Sequence, residues 1–427
     1  MRELHVTSGR TLRIQIVSTY YAPETTGNAP YVTSLSRGLA ALGHDVSVIA
    51  GAPHYPGWRI LPEDEWKADE TSAGVRVRRV TSYVPTDPTF PKRVLYELGF
   101  GVRLAPLCKS DVDVVLLVSP TLFGSLVVRT RLAFGRPDLP IVLWVQDLYT
   151  AGVAETPGLA ARALGAVVAS LEGALLRSAR AVIVIHDRFR EFTTERLRVP
   201  ASSVVVIRNW THVTSPGAID RLSVRGRLGW TRPGEVVVMH AGNMGAKQGL
   251  ENVVDAARFA EQQHLPLRFV LLGDGNQRAA LKERAKGCHA IEFVAPLPGD
   301  SFMEALAAAD VLLVNERPSL REAALPSKLT TYFVTGRPVL AATDSASTTA
   351  DEIRASRAGR IVAPGDPEAL AMAALSIARE WTAEDSQAGP AHVERALSER
   401  VSVAQFESLL MDAVTKHGEF TGRERVR

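Results

Sequence analysis

Two lysines and two carboxylates stand where side chains can act on a bound anion or on a hydroxyl. Lys247 lies in HAGNMGAKQG, residues 240–249, which follows the apolar run 236–239 and precedes Leu250, Val253, Val254 and Ala257. The i, i+3, i+4, i+7 spacing of those four makes one helix face, so the stretch reads as a strand, a small-residue turn and a helix start. Gly242 and Gly245 let backbone approach a ligand closely, the N–H groups of a first helical turn favour an anion such as phosphate, and Lys247 adds a positive charge. An ordinary strand-to-helix turn that uses glycine for its geometry accounts for the segment equally well. Lys328 sits just inside a second predicted helix, 326–335. A cation there opposes the helix dipole unless an anion is bound, a solvated surface lysine being the alternative. Asp147 follows the apolar run 141–145 and can orient a hydroxyl or cap the segment after it. Glu316 follows the run 311–314 and can accept two hydrogen bonds from a diol or pair with Arg317.

These side chains need a scaffold that gathers strand ends. Residues 12–18 (LRIQIVS) form a strand-like run, the loop 22–28 carries Pro and Gly, and Val32, Leu35, Leu39 and Leu42 share a helix face before Gly43 and a second strand at 46–50. Further strands are predicted at 75–80, 112–118, 141–145, 181–185 and 204–207. Residues 209–233 are rich in Gly, Pro, Ser and charge with weak periodicity, and read as an interdomain connection. The alternation then restarts, with strands at 236–239, 267–272, 291–294, 311–314, 339–341 and 359–362 and helices near 250–261, 277–286, 302–308, 326–335, 367–379 and 401–414. The predicted class is α/β: two doubly wound, Rossmann-like domains facing across a cleft, at 1–210 and 234–395 with 211–233 between them.

The length, 427 residues, suits two domains, and 46% hydrophobic with 22% charged residues suits a soluble globular chain. No apolar run is long enough to span a membrane, and the start, MRELHVTSGRTLRIQIV, lacks the features of a signal peptide, so a cytoplasmic protein is expected. Cys108 and Cys288 have no disulfide or zinc spacing, and none of the ten histidines has a two-His metal spacing. A net charge of +3 is too small to imply nucleic acid and leaves room for an anionic ligand or an acidic membrane surface. Residues 90–109 interleave Lys92, Arg93, Arg103 and Lys109 with Phe90, Leu95, Tyr96, Leu98, Phe100 and Leu104, which fits a helix lying on an anionic membrane or one burying its apolar side in the first domain.

The motifs YAPETTGNAPYVTSLSRGLAALGHDVSVIAGAPHYP, HAGNMGAKQGLENVVDAA, LLGDGNQ and LPSKLTTYFVTGRPVLA together resemble glycosyltransferase family 4, in particular its colanic-acid-type and O-antigen-type sugar transferases. The resemblance covers nearly the whole chain. It implies a GT-B fold with an acceptor-binding first domain, a nucleotide-sugar-binding second domain and a final segment, 396–427, packing back on the first. It further implies transfer of a hexose-type sugar from a nucleoside diphosphate sugar, a UDP-sugar by expectation, to an acceptor hydroxyl with retention, in polysaccharide or glycoconjugate biosynthesis. No cofactor or metal is expected, in line with the lack of a DxD pair at a strand end. The expected partners are the nucleotide sugar and a lipid-linked saccharide or small-molecule acceptor, with peripheral membrane contact and no nucleic acid. A natural-product glycosyltransferase, a GT-B sugar-nucleotide epimerase, which needs carboxylates placed for proton abstraction, and a non-catalytic binding protein are the alternatives.

Carried over residue by residue, the family's G-R-L-x-x-x-K-G cations fall at Asn243 and Gln248, with Lys247 one place earlier. Its paired glutamates fall at Ala323 and Thr331, neither acidic; Glu322, Ser327 and Lys328 stand there instead, in the LPSK form of the subgroup. The catalytic expectation is therefore Asp147, Lys247 and Lys328. The donor is assigned to Gly242, Asn243 and Gln248, to Gly273, Asp274 and Gly275, where a turn with Asp274 as helix N-cap is the alternative, and to Pro296 and Leu297 near the base. Glu316, Glu322, Leu325, Ser327, Leu329 and Thr331 join the donor set, as do Gly27 and Asn28 of the first loop. Tyr21, His54 and Gln146 are assigned to the acceptor, with loop packing as the alternative for His54.

Overall fold

The computed structural model describes residues 10–108, 111–150, 159–213, 215, 217, 219–318 and 328–424. The chain divides into two compact units, Met1–Asn209 with Glu399–Arg427, and Trp210–Ser398.

The first unit holds strands β1 (Arg13–Ser18), β2 (Asp45–Gly51), β3 (Asp69–Ser72), β4 (Val75–Val80), β5 (Val114–Val118), β6 (Ile141–Val145), β7 (Ala181–Val184) and β8 (Val204–Val206). They form one sheet in the order β3-β4-β2-β1-β5-β6-β7-β8, parallel except for β3. The runs VVLLV and IVLWV of β5 and β6 are buried at every position, as expected for strands covered on both faces. The edge strand β3 (DETS) escapes sequence prediction because it has no apolar alternation; it is held by a two-residue turn, Ala73-Gly74, with φ of 50° and 78°. Helix Ala29–Ala41 buries Val32, Leu35 and Leu39. Leu42, expected on that face, is 50% exposed because the helix has ended and Gly43 turns left-handed, φ +92°.

Helix Glu399–Glu424 belongs to the first unit although it follows the second in sequence. Phe406 packs on Trp144, ring centroids 4.7 Å apart, and a Cβ on Gly38 would lie 2.8 Å from Val403. Side-chain packing between distant segments therefore fixes this helix in place.

The second unit holds β9 (Val236–Ala241), β10 (Leu267–Leu272), β11 (Ile291–Val294), β12 (Val311–Asn315), β13 (Val339–Ala342) and β14 (Gly359–Val362), all parallel in the order β11-β10-β9-β12-β13-β14. The stretch expected to connect the domains is in part an element of this unit. Helix Arg221–Leu228 starts on Asp220, whose carboxylate accepts from Leu222 N and Ser223 N, and ends on left-handed Gly229. Its weak periodicity hides it, since ion pairs hold it: Arg221 and Arg225 reach Asp310 at 2.8 and 2.6 Å.

Strand order reverses between β1 and β5 in the first sheet and between β9 and β12 in the second. At such a reversal the loops leave the carboxyl ends in opposite directions and open a crevice, the usual ligand position in a doubly wound sheet.

Candidate functional site

In the second unit the crevice is bordered by the turn after β9 and the end of β12. Tyr332, fully buried on helix Lys328–Val334, accepts from Ala241 N at 2.8 Å and donates to Ala241 O at 3.2 Å, pinning the end of β9. Asn315 donates to the carbonyls of Gln248 and Gly249 at 2.8 and 2.9 Å and accepts from Asn252 at 2.8 Å, tying β12 to the same turn. Gly242 has φ +123°, and a Cβ there would lie 3.7 Å from Lys328 Nζ. Gly273 and Gly275 serve contact between loops: added Cβ atoms would sit 2.0 Å from Gly242 O and 2.6 Å from Asn243 Oδ1. Glycine here is a steric requirement of the site's own walls.

Lys328 Nζ lies 3.2 Å from Nε2 of His240, which is fully buried. Burial, aided by the lysine's charge, pushes the histidine well below its ordinary value, so the ring is neutral, and a charged Lys328, which can only donate, makes Nε2 the acceptor. Burial also lowers Lys328 to about 7, with the Glu316 carboxylate pulling the other way. The crevice thus presents a cation that burial disfavours and that a bound anion would stabilise.

Several predicted donor residues have structural partners. Gln248 serves the turn itself: its Oε1 accepts from Gly245 N at 3.0 Å and closes the 3-10 turn Ala246–Gln248. Lys247 is exposed in that turn, and its carbonyl accepts from Arg317 N at 3.2 Å. Asn243 is exposed beside it. Asp274 is no helix cap: its carboxylate takes the adjacent Gly275 N at 2.8 Å, and the next helix, Arg278–Arg284, starts after Gln277. Glu316 is neither a surface residue nor a partner of Arg317. It is 6% exposed and accepts from the hydroxyls of Thr343 and, at 2.7 Å, Thr349. Leu329 is wholly in the hydrophobic core, so its side chain is not available to a donor; Thr331 is half-buried on the same helix. Pro296 is exposed after β11, and Leu297 packs partly on the core. Glu322, Leu325 and Ser327 lie outside the described residues.

In the first unit, Asn28 donates to Ser119 O at 2.8 Å across the strand-order reversal, and its buried Oδ1 has no partner among the described residues. Gly27 is left-handed, φ +65°. Asp147 is exposed after β6; Ser119 Oγ donates to its carbonyl at 3.1 Å, and its Oδ1 accepts from Leu148 N at 2.9 Å. Gln146 pairs reciprocally with Asn209, at 3.1 and 2.8 Å. Two acceptor assignments are corrected. Tyr21 is buried with its hydroxyl on Ser36 at 2.9 Å, and His54, 2% exposed, has both ring nitrogens engaged, by Ala52 O at 2.7 Å and Tyr96 OH at 2.9 Å. Sequence reading misses the buried carboxylates beneath this crevice. Glu97 holds Phe123 N at 3.0 Å and the Tyr149 hydroxyl, and burial raises it to about 8. Glu172 holds Tyr149 N at 2.8 Å and Thr150 N at 3.0 Å. Neither belongs to a motif; each is an acidic residue inside a helix whose burial depends on segments more than twenty positions away.

Among the described residues no group of three or more His, Cys, Asp or Glu is placed to hold a metal ion, and no helix is long and apolar enough to cross a membrane.

Residues 26–210 match the glycosyl transferase 4-like domain, and residues 235–380 match glycosyl transferases group 1. The chain is 30% identical over 340 residues to WcaI of Escherichia coli, a glycosyl transferase named for colanic acid biosynthesis, covering 76% of this chain and 82% of that one. The chain belongs to the family 4-like glycosyltransferases. Solved structures give this glycosyltransferase its fold, GT-B. Sucrose-phosphate synthase from Thermosynechococcus elongatus superposes with TM-score 0.69 at 18% identity, covering 95% of this chain and all, 100%, of that one. HepE of Anabaena, solved in complex with UDP, superposes with TM-score 0.69 at 16% identity over 94% of this chain and 100% of its own.

Proposed function

We propose that the second unit of this glycosyltransferase binds a nucleoside diphosphate sugar, with its diphosphate against Lys328 and the backbone at Gly242, and that a hexose-type sugar passes with retention to an acceptor hydroxyl. The observation that carries this is the lysine itself: its Nζ rests on the neutral His240 and beside the Cβ-less face of Gly242, at the strand-order reversal. Catalysis is then positioning plus stabilisation of the charge that develops on the leaving diphosphate. Lys247, exposed in the same turn, adds to that field, and no cofactor or metal is required. The UDP complex of HepE supports a UDP-sugar donor, and the name of WcaI supports a polysaccharide pathway; the acceptor in this reading is a lipid-linked saccharide. In this reading Asp147 belongs to the acceptor side.

The pH dependence of binding tests the donor site. Burial lowers Lys328 to about 7, and a bound diphosphate favours its charged form. Affinity for UDP-glucose is therefore full below that value and falls as pH rises through it, by up to about tenfold per pH unit. Isothermal titration from about pH 6 to about pH 8.5, in EDTA, should show this slope in the wild type and none in Lys328→Met. A flat wild-type profile would remove Lys328 from the diphosphate site, and affinity that needs added Mg²⁺ would overturn the metal-free reading.

We also propose that helix Phe90–Leu104 meets an anionic membrane surface. Leu95 and Val102 are 59% and 62% exposed and share a face with Leu98, while Lys92 and Arg103 flank it. Two or three solvent-facing aliphatic side chains between cations suit the headgroup boundary. Sedimentation with vesicles of phosphatidylglycerol should carry the protein down, with Leu95→Glu/Val102→Glu releasing it. Equal sedimentation of the double variant would dismiss the idea.

A further inference from the structure

The loop after β2 turns at residues 54–59 and presents Trp58 in a left-handed backbone conformation. Trp58 has φ +51° and is one of five non-glycine residues in the left-handed region among those described. The other four occupy ordinary places for that conformation: Ala73 in a two-residue hairpin turn, and Arg198, His264 and Arg357 just past helix ends. Trp58 likewise closes a turn, in which Arg59 N donates to His54 O at 3.3 Å, so the turn geometry sets where this bulky aromatic side chain stands.

The loop is locked from beneath. One carboxylate, Glu24, accepts from His54 N at 2.8 Å, Tyr55 N at 2.7 Å and Tyr21 N at 3.2 Å. Tyr20, His54 and Tyr96 form a buried aromatic floor, 8%, 2% and 3% exposed, whereas Tyr55 and Trp58 above it are half-buried. Trp58 meets His54, Tyr96 and Tyr55 at interplanar angles of 61°, 72° and 78°, so none of these rings lies face to face with the indole. Gly27 completes the arrangement, since a Cβ there would press within 3.3 Å of the Tyr55 ring.

We propose that Tyr55 and Trp58 form a stacking platform for a pyranose ring of the acceptor, which rests on the reading of the first unit as the acceptor side. A pyranose carries C–H groups on its faces and hydroxyls around its rim. A rigid aromatic face removes the C–H surface from water without burying the hydroxyls, and its cost in lost freedom is small because Glu24 and the floor already hold the rings. The platform stands at the carboxyl edge of the sheet, on the loop of the strand next to β1, where an acceptor sugar can lie with its rim toward solvent or protein donors.

Saturation-transfer difference NMR on the full chain, with UDP present, tests this using the methyl glycosides of glucose, galactose and fucose and octyl β-D-glucopyranoside. Ring C–H protons of at least one methyl glycoside should be saturated. Trp58→Ala should weaken that signal roughly fivefold or more, and Trp58→Phe should restore part of it. UDP binding, followed separately by thermal shift, should be unchanged in both variants. Three results would overturn the platform: no methyl glycoside saturated by a folded wild type, saturation confined to the octyl chain, or saturation untouched by Trp58→Ala. Loss of UDP affinity in folded Trp58→Ala would also overturn it, by making the rings a nucleotide site. Failure of the wild type to bind UDP while glycosides still saturate would instead reject the donor reading and leave the platform standing.

Discussion

Lys328→Ala should lower turnover by roughly two to three powers of ten, the usual loss on removing one preorganised charge donor from a transition state. The expectation rests on geometry that leaves the lysine little other purpose. Its Nζ donates to a histidine that cannot help carry a charge, and burial lowers its own affinity for a proton to about 7. Such an ammonium costs desolvation on folding, so neutral substitution should leave folding intact or strengthened. The sign follows from the direction of the shift: because the folded state holds the proton less tightly than the unfolded chain, protonation on lowering pH favours unfolding, and a neutral side chain removes that penalty. Steady-state rates with UDP-glucose, beside thermal unfolding of the same preparations, decide it. A loss of tenfold or less would move the charge role to Lys247 or to backbone amides.

Asp147→Asn should cut transfer by roughly a hundredfold or more if the carboxylate orients or deprotonates an acceptor hydroxyl. The substitution is structurally mild. The side-chain oxygen that accepts from Leu148 N is retained in asparagine, and the Ser119 bonds involve only the Asp147 backbone. Affinity for UDP should therefore stay unchanged, and slow hydrolysis of the donor by water should survive because it needs no acceptor. Transfer barely changed, with a stability loss of about 1 kcal/mol or less, would make Asp147 a local cap only. Collapse of UDP affinity in a folded variant would reverse the assignment of the two units to acceptor and donor.

The elements carrying continuous apolar runs were legible from residue type alone. β5, β6, β9 and β12 are or begin with such runs, β10 is one broken only by Arg268, and each appears within two residues of its expected bounds. Elements held by polar contacts were not. β3 is DETS, and helix Arg221–Leu228 depends on Asp310, over eighty residues away, although its Asp220 cap and Gly229 stop are visible locally. The same division runs through the sites. Gly242, Gly273 and Gly275 were singled out for their turn, but only the folded chain reveals that Gly273 and Gly275 admit a neighbouring loop while Gly242 serves a left-handed backbone, φ +123°.

By itself, then, the sequence determined two α/β units, the glycine turn after β9 and the lysine of LPSK, because side-chain periodicity and turn chemistry are local properties written into consecutive residues. The tertiary structure decided which strands adjoin, and hence that β9 and β12 border one crevice. It also decided that His54, Tyr21 and Glu316 turn inward to partners while Trp58 stays half-buried at the end of its turn. A polar or aromatic side chain is committed to the interior or to a ligand by the hydrogen-bond partners it meets there, and those partners come from segments that only folding brings together.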